Sequence, residues 1–436
     1  MSAWPQSSFL DAYGGFAITA IDEISLLLNA TALEQPIILQ VYAEGHEFDA
    51  AIQALGRHEV DGVIAVADPE HHAILIPLSR FVALIPFDAE NQLRHAIAHI
   101  LFAQTSGFAA PRGFDEGFAR YVERVQQPIL AHIASVVQSA YQDGSLPSWS
   151  NMNRAVPLDD PDLIESQAYA VVGFLLQNYG LAPFQQFVSE LQSASTWRDA
   201  LEIAYAPAQS DDLESKWRDE IPVWAQGDWK WNLVAGFDLQ PARDLLARGN
   251  FTGASNALLV SEQLFSEIDD AERQAEVAAL KDQARIGGLA EAKMQEAQIA
   301  LENFAYERAA AAIEQAASQY DQLPVDLRPT ELIAKYRELA QTGLASTEQL
   351  EMARIQSGAW TEYPQARAAA IDAGTGYAAL GDSEGYREAV SLIDRMESTQ
   401  LQLVLLLATM ALLTAIWLFV WLRYRRTPGL QWDGQD

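Results

Sequence analysis

Cysteine is missing altogether from the 436 residues, which excludes disulfide staples, thiolate metal sites and cysteine nucleophiles while leaving the compartment open. Basic residues are scarce: 28 Lys and Arg stand against 59 Asp and Glu, and 28 − 59 = −31 is the net charge. So acidic a surface repels nucleic acid, which is rejected as a partner, and gives no reason to expect adsorption to anionic lipid. No Lys or Arg precedes Arg57, and the apolar piece Gly14 to Ile21 is cut short by Asp22-Glu23. The N-terminus therefore lacks the pattern of a secretory signal peptide. Either the sequence begins downstream of its true start or export takes another route.

What is present is ample apolar material. Half of the residues are hydrophobic, and the length suffices for two or three domains with cores of their own. Leu403 to Leu422 is interrupted only by Thr409 and Thr414, and as a helix spans about 30 Å, the hydrocarbon thickness of a bilayer. Arg423, Arg425 and Arg426 follow at once. The positive-inside rule keeps these arginines cytoplasmic, so the expectation is a single-pass cell-membrane protein, bulk extracytoplasmic, C-terminus cytoplasmic. Trp417, Trp421 and Tyr424 then form an aromatic belt at the inner interface. The main alternative, a tail anchor with the bulk in the cytoplasm, explains the missing signal peptide but puts three arginines on the wrong side.

Along the N-terminal half, Ser8 to Ala30 has apolar residues at three- and four-residue intervals, a helical pattern. Pro36 to Tyr42 reads as a strand and His46 to Leu55 as a short helix. Gly62 to Ala67 and Ala73 to Pro77 read as two strands around the turn Asp68-Pro69-Glu70-His71-His72. His71 and His72 are most simply exposed turn residues. The next stretch, Asn91 to Glu123, places His95 and His99 four apart on a helix, so both imidazoles leave one face and two nitrogens can reach one ion. Glu116, behind the turn-forming Ala110-Pro111-Arg112-Gly113, is placed to complete a His, His, Glu set for a divalent ion such as zinc. The alternative is that both histidines are packed and hydrogen-bonded in a core without an ion.

The arrangement resembles the gluzincin zinc peptidases, in particular the peptidase-MA-like group, whose motif is His-Glu-x-x-His on one helix and Trp-Leu-x-Glu-Gly-x-Ala-x-Tyr on the next. Phe114-Asp115-Glu116-Gly117-Phe118-Ala119-Arg120-Tyr121 matches the second half closely. The first half reads His95-Ala96-Ile97-Ala98-His99, with Ala96 where the family has its general-base glutamate, and Gly113 stands where the family usually has tryptophan. Loss of a general base costs roughly 10²–10⁴-fold in rate. The resemblance implies that the last strand before the metal helix runs along a substrate cleft. It also implies that Tyr169, in Glu165 to Leu176, matches a tyrosine that donates to the oxyanion. A tyrosine packed with its hydroxyl satisfied is the competing reading. That helix ends at Tyr179-Gly180, a glycine stop.

The fold class expected is therefore α+β: a gluzincin-like domain with a small N-terminal sheet over residues 1–223, a linker at 224–238, an all-α helical-hairpin region over 239–398, a transmembrane helix at 401–422 and a short tail at 423–436. The second region is expected as helices at 238–268, 270–287, 289–320, 330–342, 347–357, 363–380 and 383–397. Aromatic residues precede alanine at Phe251-Ala254, Tyr306-Ala309 and Tyr386-Ala389, small positions that let paired helices approach as in tetratricopeptide-like hairpins. Their spacing is too irregular for a 34-residue repeat. This region is either a partner-binding superhelix or a plain spacer.

Three functions are consistent with these residues. The first is a membrane-anchored pseudopeptidase, zinc-bound, that holds a peptide or partner protein without cutting it. The second is an active zinc peptidase with a displaced base, for which Asp115, Glu90 or a residue outside this stretch are the candidates. The third is a metal-free extracytoplasmic scaffold acting through its helices.

Overall fold

The computed structural model describes residues 6–30, 35–55, 64–124, 127–154 and 160–426. Gly62 and Val63 of the second expected strand, the tail after Arg426 and the side chain of Tyr424 lie outside the described residues. Two compact units emerge, one of Met1–Leu246 with Thr252–Asp282, the other of Ala247–Phe251 with Gln283–Asp436.

The first unit opens with α1 (Gln6–Leu28), β1 (Ile38–Tyr42), α2 (Gly45–Ala54), β2 (Val66–Asp68), β3 (Ala73–Pro77) and the single turn α3 (Leu78–Phe81). The strands form one sheet in the order β1-β3-β2, with β1 parallel to β3 and β2 antiparallel to it. Every residue of β3 is buried, as a near-continuous apolar strand with partners on both sides should be. β3 is the central strand, flanked along its whole length by β1 and over Ala73–Leu75 by β2.

That helix is α4 (Pro86–Thr105), begun by Pro86 at its first position, where a missing N–H costs nothing. It is followed by α5 (Arg112–Tyr121), α6 (Gln127–Gln142), the short α7 (Trp149–Met152), α8 (Pro161–Tyr179), α9 (Leu181–Glu190), α10 (Trp197–Ala204) and α11 (Ser210–Trp224). Asp160 caps α8, its carboxylate accepting from the Leu163 N–H at 3.2 Å, and Gly180 ends it at φ +82°. Helices α4, α5 and α8 pack in sequence. Gly117 makes the α5–α8 contact close, because a Cβ there would overlap the backbone carbonyl of Ala168. Phe102, Phe114, Phe118, Phe184 and Phe187 fill the core beneath, all at 1% exposure or less.

Residues 224–238, expected as a linker, fold into two short 3₁₀ turns, and Asn232 is buried within the first unit. Its Nδ2 donates to the Tyr121 carbonyl at 3.0 Å and to the Tyr169 hydroxyl at 3.2 Å. The chain continues through α12 (Gln240–Ala247), α13 (Phe251–Glu267), α14 (Ala271–Glu302), α15 (Tyr306–Tyr320), α16 (Thr330–Gln356), α17 (Tyr363–Leu380) and α18 (Ser383–Arg426).

Three expected breaks are absent. Gly287-Gly288 lies inside α14 and Gly343 inside α16. These glycines admit a neighbouring ring rather than ending a helix: a Cβ on Gly287 would overlap Phe251, and one on Gly343 would overlap Tyr306. The third break, between 397 and 401, vanishes because Ser398 and Thr399 donate back to the Arg395 carbonyl at 2.9 and 2.8 Å instead of capping a new helix. The resulting α18 has 44 residues, and Leu403 to Leu422 is exposed throughout. Among the described residues it is the one helix long and apolar enough to cross a membrane.

Candidate metal centre

α4 and α5 lie side by side, which brings His95 and His99 of the one against Glu116 of the other. The two Nε2 atoms are 3.1 Å apart, and Glu116 Oε2 is 3.6 Å from that of His95 and 3.7 Å from that of His99. Three ligands about 2.0–2.2 Å from one tetrahedral ion stand at about this mutual separation. The donor set, two imidazoles and a carboxylate, has the chemistry zinc prefers in three-ligand sites, and side-chain exposures of 16–29% leave one side accessible.

The outer nitrogens are also held. His95 Nδ1 donates to Glu123 Oε1 at 2.9 Å, and His99 Nδ1 to Asp115 Oδ1 at 2.9 Å. Such carboxylate–histidine pairs fix the tautomer, leave Nε2 as the coordinating atom and raise its basicity. Glu123 is itself fixed by Arg120, whose Nη1 reaches both its oxygens at 3.0 and 2.9 Å. Without an ion the cluster is a charge network. Burial disfavours the charged form of His95, but Glu116 and Glu123 outweigh it and hold the imidazole up to about 10. Burial likewise opposes ionisation of Glu116, yet His95, His99 and Arg112 bring its carboxyl down to about 2.

Ala96 is buried at 2% exposure on α4. Of the residues expected as substitutes for a base, Asp115 is engaged by His99, and Glu90 acts on the charge of Tyr13 and Arg94. Tyr169 is buried beneath Tyr121 with ring centroids 5.6 Å apart, and its hydroxyl accepts from Asn232. His71 stays in its turn, 69% exposed, bonded to Asp68. Gly113 has no space for a tryptophan: a Cβ there would already stand 2.6 Å from Met152 Cγ and 2.9 Å from Asn153 Oδ1.

Sequence reasoning missed Glu123 and Glu165. Glu123 lies just past the end of α5, where no helical spacing marks it. Glu165 comes from α8, where nothing local marks it. Burial and then the charge of Glu116 push its carboxyl up, with Arg120 and His95 opposing.

A small mixed sheet, helices packed behind it and a His, His, Glu cluster on adjacent helices that could hold a metal ion make up this part of the chain. The Peptidase MA superfamily model matches residues 19–223. Residues 19–223 are thus similar to the Peptidase MA superfamily, and further helices follow, the last of them long and apolar. No curated protein and no solved structure matches it.

Proposed function

We propose that this is a membrane-anchored pseudopeptidase: residues 1–223 hold zinc on His95, His99 and Glu116 and bind a peptide or partner protein without hydrolysing it. Ala96 carries the reading. It occupies the place of the residue that would take a proton from a metal-bound water, and a methyl group has no basicity. Zinc, when bound, supplies a Lewis acid and lowers the pKa of its water. The chain's own residues orient the donors, Glu123 and Asp115 holding the imidazoles and Arg120 holding Glu123. Leu403 to Leu422 anchors the protein with Arg423 and Arg425 on the cytoplasmic side, and residues 239–398 join the domain to that anchor as spacer or partner-binding surface.

The test is metal content and zinc calorimetry on the purified chain, with His95→Ala and Ala96→Glu assayed alongside on casein. Stoichiometric zinc that is lost in His95→Ala, with hydrolysis only in Ala96→Glu, is the expected result. Zinc-dependent cleavage by the natural sequence overturns the pseudopeptidase reading. Failure to bind any metal favours the scaffold reading instead.

A second reading, an active peptidase with a displaced base, is favoured by Glu165. Its carboxyl feels the charges of Glu116 and His95 and has its proton affinity raised, in the direction a base working near neutrality requires. Under that reading Glu165→Gln abolishes cleavage by the natural sequence while zinc is retained.

A further inference from the structure

On α4, one residue before His95, Arg94 is completely buried, with a side-chain exposure of 0%. Its Nε donates to the Val122 carbonyl at 2.7 Å and its Nη1 to Glu23 Oε2 at 2.6 Å, while Nη2 has no partner. Buried polar groups are ordinarily hydrogen-bonded, and this nitrogen has no partner within the protein. Arg94 lines a cavity of about 330 Å³ together with Arg124, Glu23, Asp238, Phe87 and Phe237. Arg124 lies over the Phe16 ring, 5.7 Å from its centre, and among the described residues it has no carboxylate in ion-pair reach.

We propose that this cavity binds a small organic monocarboxylate with an apolar body, its oxygens taken by Arg94 Nη2 and the Arg124 guanidinium and its hydrocarbon laid against Phe87 and Phe237. The charge balance selects the class. Glu23 offsets the charge of Arg94, and although Asp238 shares the wall with Arg124, it is not in ion-pair reach of that guanidinium, which is the group a single carboxylate can pair with. A dianion such as phosphate would meet Glu23 and Asp238 on the same walls. The planar fork of arginine suits a carboxylate, and a volume equal to roughly ten waters at ~30 Å³ each admits a body of phenyl size. The same carboxylate chemistry is offered by a free acid and by the C-terminus of a peptide.

The experiment is calorimetry and ligand-observed NMR on the full chain in detergent, against micelles alone, with phenylacetate, N-acetylphenylalanine, phenylacetamide and inorganic phosphate. Saturable one-to-one binding of an acid, with the neutral amide at least about tenfold weaker, is expected from the loss of a charge-assisted hydrogen bond. Tighter phenylacetate marks a free acid, and tighter N-acetylphenylalanine a chain terminus. Arg94→Met risks the fold, so Arg124→Gln is the informative variant. It should weaken the acid about tenfold or more while leaving zinc stoichiometry and melting temperature in place. Equal binding of acid and amide, preference for phosphate, no saturable binding, or an Arg124→Gln variant with unchanged affinity each overturns the proposal.

Discussion

His95 and Glu123 are joined at 2.9 Å, Nδ1 to Oε1, across 28 residues of chain. This pair sets the direction of the imidazole, and the Arg120 guanidinium holds the carboxylate in turn. Replacing Glu123 by Gln keeps the size and an acceptor oxygen but removes the charge. Outer carboxylates of this kind are worth about 10–100-fold in metal affinity, so Glu123→Gln and Asp115→Asn should each weaken zinc binding within that range, read by competition with a chromophoric chelator. Unchanged affinity in both would mean that the imidazoles need no outer support.

The proton balance of the site gives a second expectation. His95 in the ion-free protein holds its proton up to about pH 10, whereas a coordinating imidazole must be neutral. Zinc must therefore displace a proton at neutral pH. Apparent affinity should rise about tenfold per pH unit from neutrality towards 10, and calorimetric heats should follow the ionisation enthalpy of the buffer. A folded-state value raised above the ordinary 6.5 stabilises the ion-free protein fully below 6.5, and that stabilisation is lost as pH rises through about 10. Glu116 acts in the opposite sense: its lowered value contributes stability above its ordinary 4.5, lost as pH falls towards 2. Melting temperatures without zinc should decline at both ends.

Gly117→Ala tests the contact between α5 and α8. The new Cβ would overlap the Ala168 carbonyl, which is backbone and cannot swing away. Overpacking of this kind costs about 1–3 kcal/mol, to be read from denaturant melts. Gly14→Ala, on α1 with nothing within 4 Å of the added carbon, is the control and should be neutral or slightly stabilising.

Tyr169→Phe separates a structural tyrosine from a catalytic one. Its hydroxyl accepts from Asn232, whose Nδ2 also serves the Tyr121 carbonyl. Loss of the hydroxyl should cost about 1 kcal/mol of stability and leave zinc affinity alone. In the Ala96→Glu background, unchanged casein turnover would assign Tyr169 to packing, and a drop of tenfold or more would assign it to the oxyanion.

The absence of cysteine makes orientation directly measurable. Single cysteines at Asp212, exposed on α11, and at Gly429, beyond the anchor, should label from opposite sides of intact membranes: Asp212→Cys from outside the cytoplasm, Gly429→Cys only after permeabilisation. The reverse pattern would establish a tail anchor. Truncation after Met396 should release the protein from carbonate-washed membranes in either case.

The features legible in the sequence were those written in short-range spacing. A four-residue interval on a helix put His95 and His99 on one face, a long apolar run ending in arginines marked the long apolar helix, and Gly180 ended α8, because each depends on neighbours within a turn or two. The breaks expected in α14 and α16 fall at glycines: whether Gly287 and Gly343 interrupt a helix depends on the rings of Phe251 and Tyr306 that fill their place, which no local pattern records. The partners of the metal cluster were likewise decided only in three dimensions. Asp115 and Glu123 become holders of the histidines, Asn232 reaches Tyr169 across 63 residues, and Arg94 is left with one buried nitrogen unpartnered, because side chains distant in sequence share an interior only once the helices have packed.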